Sequence, residues 1–182
     1  MLTQPQSPAR RTVTAILLIG LLCASATRVL AQEQSSSLFV DAIKRAALDP
    51  TTYAPAGIAY YATYQDWKTS QPFFARGANE MNPRYTVSGL SNDTPIDYGT
   101  GKQRIFRDAL INLQISAVTN VTSNVVENLL IKRYPDHRKL VRGLAWAERI
   151  SVASFLAYRM SSPHFQQAAL NEQLARQWGY TQ

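Results

Sequence analysis

The side chains best suited to chemistry are concentrated between residues 66 and 83, in the segment DWKTSQPFFARGANEMNP. Asp66 and Glu80 could converge if a helix carries the first and a turn brings back the second. Two carboxylates with an amide can bind a divalent cation through oxygen ligands, or act as an acid and a base where their environments separate their pKa values. The full candidate polar site comprises Asp66, Thr69, Ser70, Glu80, Asn82, Arg107 and Glu148.

A structural interpretation of the same segment competes with the chemical one. In it Asp66 pairs with Arg104 or Arg107, Glu80 caps the segment that follows, and an Asn-Pro turn begins at Asn82. The tyrosines that precede Trp67 could line a groove for a sugar or a lipid, but aromatic side chains more often lie in a core.

Signatures of known catalytic chemistry are missing from the sequence. It contains no HExxH pair, no GxSxG elbow and no glycine-rich phosphate loop. The two histidines, His137 and His164, lie near prolines and lack metal-ligand spacing, so we expect both on the surface at helix boundaries. No cofactor and no metal site is evident, and the sequence favours a protein that is not an enzyme.

A longer pattern runs through the polar segment: Asp-x-x-Thr-Ser, then Gly-x-x-Glu-x-Asn-Pro, ending at Pro83. It resembles a pattern in small bacterial membrane proteins and in signal-bearing bacterial proteins of similar length. In the latter, an Asp-Trp…Asn-Pro-Arg segment precedes an Arg-x-Phe-Arg-Asp helix, here Arg104 to Asp108. The resemblance covers about half of the chain that follows the N-terminal segment, and it implies no particular activity.

The first 31 residues have the composition of a secretory signal peptide. An arginine pair at 10–11 precedes an apolar run at 15–23, and small residues follow, so we expect cleavage before Gln32. Retention of this segment as a membrane anchor is the alternative. The only cysteine is Cys23, so residues 32–182, a single domain by length, would fold without a disulfide.

Hydrophobic periodicity and helix-stop residues predict an all-α protein, a small bundle of about four to five helices. Residues 32–37 are expected to form a flexible leader. Residues 75–101, rich in glycine and proline, are expected to form one long irregular loop, a kind of segment that is often functional. The predicted helices span residues 38–48, 56–74, 102–133, 140–160 and 163–178.

Two of these helices carry apolar residues at helical spacing, which we expect to face the core. The residues are Phe106, Leu110, Leu113, Ala117, Val121, Val125 and Leu129 in one helix, and Leu140, Leu144, Ala147, Ile150, Val152 and Phe155 in the other. Residues 109–126 carry no charge and approach the length of a membrane span, but polar side chains interrupt them. We expect a bundle that is soluble or peripheral to a membrane, with a membrane-embedded bundle as the alternative.

The chain is basic, with a net charge of +7, and its densest basic cluster follows the longest predicted helix. Clustered Lys and Arg side chains can contact anionic lipid headgroups. These residues are Lys132, Arg133, Arg138, Lys139 and Arg142. We therefore expect a non-enzymatic cell-envelope protein, periplasmic or peripheral to the inner membrane, that binds a protein or lipid partner and no nucleic acid.

Two other hypotheses remain open. In the first, the chain is a periplasmic metal-dependent hydrolase or acid/base enzyme centred on Asp66 and Glu80. In the second, Glu148 and Arg149 meet Asp66 and Arg107 in a buried ion network that specifies helix register.

Overall fold

The computed structural model describes residues 34–180, which form a small all-α helical bundle and confirm the predicted fold class. The four helices of this part are α1 (Gln34–Leu48), α2 (Ala54–Phe74), α3 (Tyr98–Arg133) and α4 (Arg138–Gln177). Short 3-10 turns lie at Pro50–Thr52, Pro83–Tyr85 and Pro135–His137. The predicted signal peptide, whether cleaved or retained, falls outside the described residues.

The helices form three long rods, the first of which is interrupted. Pro50 cannot continue α1, and the Asp49 side chain caps the 3-10 turn by accepting the Thr51 N–H at 2.9 Å. The stop predicted at Asp49-Pro50 is therefore confirmed. With 36 and 40 residues, α3 and α4 are about 54 and 60 Å long.

Four contacts set the direction of the rods. α1 and α2 run antiparallel to α3, since Arg45 pairs with Glu127 while Trp67, further along, donates its indole N–H to the carbonyl of Tyr98. α4 runs parallel to α2, because Asp66 contacts His164 and the later residues of both helices also meet.

Small residues form the contact between α2 and α4. The small or polar buried residues are Ala56, Ala59, Ala62 and Thr69 in α2, and Ala157, Ser161, Ala168, Asn171 and Ala175 in α4. They recur at spacings of three, four and seven, so each set lies on one helix face and the two backbones can approach closely.

The prediction of which face of α3 is buried was wrong. Phe106, Leu110 and Leu129 are exposed, and the buried face is largely small or polar. Some of these buried polar groups are hydrogen-bonded: Asn120 Nδ2 donates to Thr52 Oγ1 at 2.7 Å, and Asn124 Nδ2 donates to the main-chain carbonyl of Asn120 at 2.9 Å. The buried residues of α3 are Gly101, Ile105, Ser116, Asn120, Asn124 and Glu127.

The same reversal occurs on α4, where Leu140, Leu144 and Phe155 are exposed while Ile150 and Val152 are only half-buried. In the part of the chain that the structure covers, no helix reaches the combined length and apolarity of a membrane span.

Two predicted boundaries were also wrong. α4 is continuous through Pro163, where we expected one helix to end and another to begin. A proline inside a helix removes one hydrogen bond, and here His164 and Asn171, which both follow Pro163, hold the second half of α4 against α2. α1 begins at Gln34, inside the segment expected to be a flexible leader.

The segment 75–97 between α2 and α3 is irregular, as predicted, but it folds back on the bundle in a defined way. Antiparallel bridges join Glu80 to Asp93 and Thr86 to Pro95. Its Tyr85 and Ile96 side chains pack with Trp67 and Ile105 in a buried cluster. The last residues of the predicted loop, from Tyr98 on, belong instead to α3.

Candidate functional site

A cleft of about 530 Å³ lies between α2, the loop 75–97 and the C-terminal half of α4, and we call it the α2–α4 cleft. Its polar lining includes Asp66, Ser70, Glu80, Asn82, His164 and Asn171, and its aromatic lining includes Trp67, Phe73, Phe74, Tyr85 and Trp178. A concave site of this size with a few convergent polar groups suits a small-molecule ligand.

An Asp–His pair is the central polar contact of the cleft. His164 Nδ1 donates to Asp66 Oδ2 at 2.8 Å, because an ionised carboxylate can only accept. Both side chains keep some exposure, 20% for Asp66 and 29% for His164. The pair is therefore positioned by the two helices yet remains open to the cleft.

A second set of hydrogen bonds joins α2 and α4 further along the two helices. Asn171 Nδ2 donates to Ser70 Oγ at 2.9 Å and to Thr69 Oγ1 at 3.3 Å. Both hydroxyls in turn donate to the main-chain carbonyl of Asp66. Thr69 and Ser70 thus act mainly in holding α4 against α2.

Glu80 faces the cleft from the loop. Its Oε1 accepts the main-chain N–H of Asn82 at 2.6 Å, and its backbone pairs with Asp93. Burial raises the pKa of the Glu80 carboxyl above its usual value, and the neighbouring Asp66 charge adds to the rise, while the Asn82 N–H opposes it.

The structure therefore brings together five of the predicted site residues, Asp66, Thr69, Ser70, Glu80 and Asn82, and leaves out two. Arg107 is exposed on α3, and Glu148 lies on the far half of α4, where it accepts the Ser123 hydroxyl at 2.5 Å. The turn predicted at Asn82 is confirmed, since Asn82 Oδ1 accepts the Arg84 N–H at 3.1 Å.

The prediction that Asp66 pairs with Arg104 or Arg107 was wrong. Neither Arg104 nor Arg107 pairs with it: Arg104 donates to the main-chain carbonyl of Arg84. Asp66 pairs with His164 instead, a residue that we expected on the surface at a helix boundary. A signal was available in the spacing of His164 and Asn171, which are seven residues apart and so share one helix face.

Within residues 34–180, no three His, Cys, Asp or Glu side chains are arranged to hold a metal ion. The carboxylates of the cleft are a pair with one histidine, and the side-chain oxygen of Asn82 is engaged by its own turn. The arrangement can bind a polar or charged group and exchange a proton with it.

A buried ion network exists, but at a different place and with different members from those predicted. Glu127, with a side chain 4% exposed, accepts from Arg149 at 2.8 Å and from Arg45 at 3.2 Å. Arg149 Nε also lies 3.2 Å from Asp49 Oδ2. Only Arg149 of the predicted four participates, and the network ties α1 and α4 to α3.

The end of the bundle opposite the cleft carries an apolar groove and exposed basic side chains. We call it the tip: the last turns of α3, the 3-10 turn and the first turns of α4, residues 126–146. α3 and α4 diverge here around a groove of about 460 Å³ whose walls include Val126, Leu130, Val141 and Leu144.

The tip exposes both apolar and basic side chains. The exposed apolar ones are Val126, Leu129, Leu130, Tyr134, Leu140, Leu144 and Trp146. All five residues of the predicted basic cluster are exposed in the same stretch, where Asp136 is the one exposed acidic residue and Glu127 is buried.

No known protein-family model matches the chain, and comparison with curated proteins and with solved structures found no significant similarity.

Proposed function

We propose that this is a cell-envelope protein that binds the surface of an anionic lipid membrane with its tip. The observation that carries the proposal is the apolar groove at the tip, surrounded by exposed apolar side chains and five exposed basic residues.

The chemistry of the tip matches that of a membrane interface. Segments that lie in the interface combine Lys and Arg with aliphatic and aromatic side chains, which enter the boundary between headgroups and acyl chains. Trp146 and Tyr134, both more than half exposed, are of the kind enriched at that depth. The groove between Leu130 and Leu144 offers an apolar slot beside the positive charges.

The path of the chain supports the same orientation. α1 is antiparallel to α3, with Thr52 beside Asn120 and Arg45 beside Glu127. Continuing this register carries the first turns of α1 towards the tip. The apolar N-terminal segment at residues 15–23 precedes α1, so an anchor retained there would hold the tip next to the membrane.

The proposal is tested by co-sedimentation of the full-length chain with lipid vesicles. Each basic side chain near an anionic surface contributes about 1 kcal/mol. Replacing Lys132, Arg138 and Lys139 with Gln should therefore weaken the partition into anionic vesicles by roughly a hundredfold. The matched control replaces Lys68, Arg107 and Arg159, which are exposed outside the tip, and should bind nearly as the original chain does.

Both chains keep the same N-terminal segment, so a difference between them reports on the tip. Equal partition of the tip variant and the control variant would contradict the proposal. So would equal binding of the original chain to anionic and to zwitterionic vesicles.

A further inference from the structure

The α2–α4 cleft has a charge that differs from the rest of the chain. The whole sequence carries +7, yet the residues that line the cleft include two carboxylates, Asp66 and Glu80, and neither Lys nor Arg. The one basic group among them is His164, which is held by Asp66. The cleft therefore disfavours anions and presents the Glu80 carboxyl without a cationic side chain paired to it in the lining.

The environment of Glu80 destabilises its ionised carboxylate, so a positive charge nearby would stabilise it. The carboxylate accepts the main-chain N–H of Asn82 at 2.6 Å, has the Met81 N–H and His164 near it, and lies half-buried beside the negative charge of Asp66. A cation in the cleft would offset both the burial of the carboxylate and its repulsion by Asp66.

Five aromatic side chains also line the cleft. The Trp67 ring centre lies 5.5 Å from that of Phe74 and 5.4 Å from that of Tyr85. Phe73 meets Trp178 edge-on at 5.7 Å. Rings from α2, the loop and the end of α4 thus converge on a cleft that also holds carboxylates.

The faces of aromatic rings attract cations, and quaternary ammonium groups above all. The same part of the molecule already shows this contact, because the Arg76 guanidinium lies 3.8 Å from the ring centre of Tyr180. Tyr180 in turn packs on Phe73 and Trp178. A cation–π contact therefore already forms next to the cleft.

A bare metal ion fits less well. Among the residues described, no three ligating side chains converge on such an ion, and aromatic walls do not replace its hydration shell. An ammonium group carrying carbon substituents uses the rings and the carboxylates together.

We propose that the α2–α4 cleft binds a small organic cation, an ammonium compound of the choline or ethanolamine type. The charged nitrogen lies against the aromatic rings near Glu80. The Asp66–His164 pair offers a hydrogen bond to a hydroxyl on the ligand. The site is independent of the membrane-binding tip, since at 1.5 Å per residue about 33 Å of α4 separates Arg142 from His164.

Calorimetric titration of the full-length chain tests this with two matched probes. Choline should bind saturably with one site per chain. Its neutral carbon isostere, dimethylbutanol, has the same shape without the charge and should bind at least about tenfold more weakly. Equal affinity for the two probes would overturn the proposal, as would failure of both choline and ethanolamine to bind at up to about 10 mM.

Two variants locate the bound cation. Glu80→Gln should weaken choline binding about tenfold or more, while Glu172→Gln, which removes an exposed carboxylate on α4 outside the cleft, should leave it unchanged. If Glu80→Gln does not fold, Trp178→Leu removes an exposed ring of the cleft and should also weaken choline binding. Choline binding unaffected by the folded variants would place the cation elsewhere and refute the assignment.

Discussion

The ion network around Glu127 allows the effect of one substitution to be worked out from the structure. Glu127→Gln keeps the shape of the side chain and removes its charge. Arg149, only 11% exposed, then loses its 2.8 Å partner and keeps Asp49 alone. Breaking a buried pair by removing one member costs about 3–5 kcal/mol.

The contribution of Arg45 is smaller. Its side chain is 43% exposed, so solvent screens the pair, and loss of that contact adds less than about 1 kcal/mol. Because Asp49 stays beside Arg149, the free energy lost with the Glu127–Arg149 pair is at the lower end of that range. We therefore expect Glu127→Gln to lower the free energy of unfolding by about 3–4 kcal/mol, and the melting temperature by about 10 °C.

Thermal unfolding followed by circular dichroism measures this effect, with Glu172→Gln as the control. Glu172 lies 3.9 Å from Arg176 in an exposed pair one helical turn apart, so its loss should cost less than about 0.5 kcal/mol. If Glu127→Gln melts within about 2 °C of this control, the network does not hold the three rods together and the reasoning is refuted.

Three further predictions concern single sites and are checked by the same melts. Gly101→Ala places a methyl group against the buried Trp67 indole and should lower the free energy of unfolding by about 1–3 kcal/mol. Its control, Gly143→Ala, has open space around the new methyl group and should stabilise the helix by about 0.5–1 kcal/mol. Equal melting temperatures of the two variants would contradict the close packing of Gly101 on Trp67. Because the folded-state pKa of Glu80 is raised, its stabilising contribution is complete below the unfolded value and is lost as the pH rises through the folded value. Glu80→Gln should therefore gain in melting temperature relative to the original chain as the pH rises above the ordinary glutamate pKa of 4.5. Asp66 and His164 are the facing charges, and a difference that stays constant with pH would exclude the burial effect. Asn120→Ala removes hydrogen bonds of 2.7–2.8 Å to the turn between α1 and α2 and should cost about 1–3 kcal/mol, so an unchanged melt would show that those bonds are not needed.

Local signals in the sequence were sufficient to predict some of the helix and turn boundaries. Asp49-Pro50 predicted the end of α1, and Asn82-Pro83 predicted the turn that presents Glu80. Both depend on chemistry that acts within a few residues, the missing N–H of proline and the capping side chain before it.

Packing was harder to predict because the interior of this bundle is small and polar. Asn120, Asn124 and Ser116 are buried while Phe106 and Leu110 point outward. Hydrophobic periodicity assumes that large apolar residues face the core, so it selects the opposite face. Nothing in the spacing of the apolar residues on α3 reveals that Asn120 meets the turn between α1 and α2, or that Glu127 meets Arg45 on α1 and Arg149 on α4.

The site was predicted in part for a similar reason. Its α2 and loop residues are close in sequence, so their density alone drew attention to Asp66 and Glu80. His164 and Asn171 come from a helix almost one hundred positions later. Continuity of α4 through Pro163, which local rules oppose, is what carries them into the cleft.

Quenching of tryptophan fluorescence by brominated anionic lipids would show directly whether the tip is the part of the protein that contacts the membrane. Trp146 is exposed at the tip, Trp178 is exposed beside the cleft, and Trp67 is buried. We predict quenching in the original chain that is largely lost in Trp146→Phe and retained in Trp178→Phe. Quenching that survives Trp146→Phe and is lost in Trp178→Phe would show that the other end of the bundle faces the membrane, and would contradict the account.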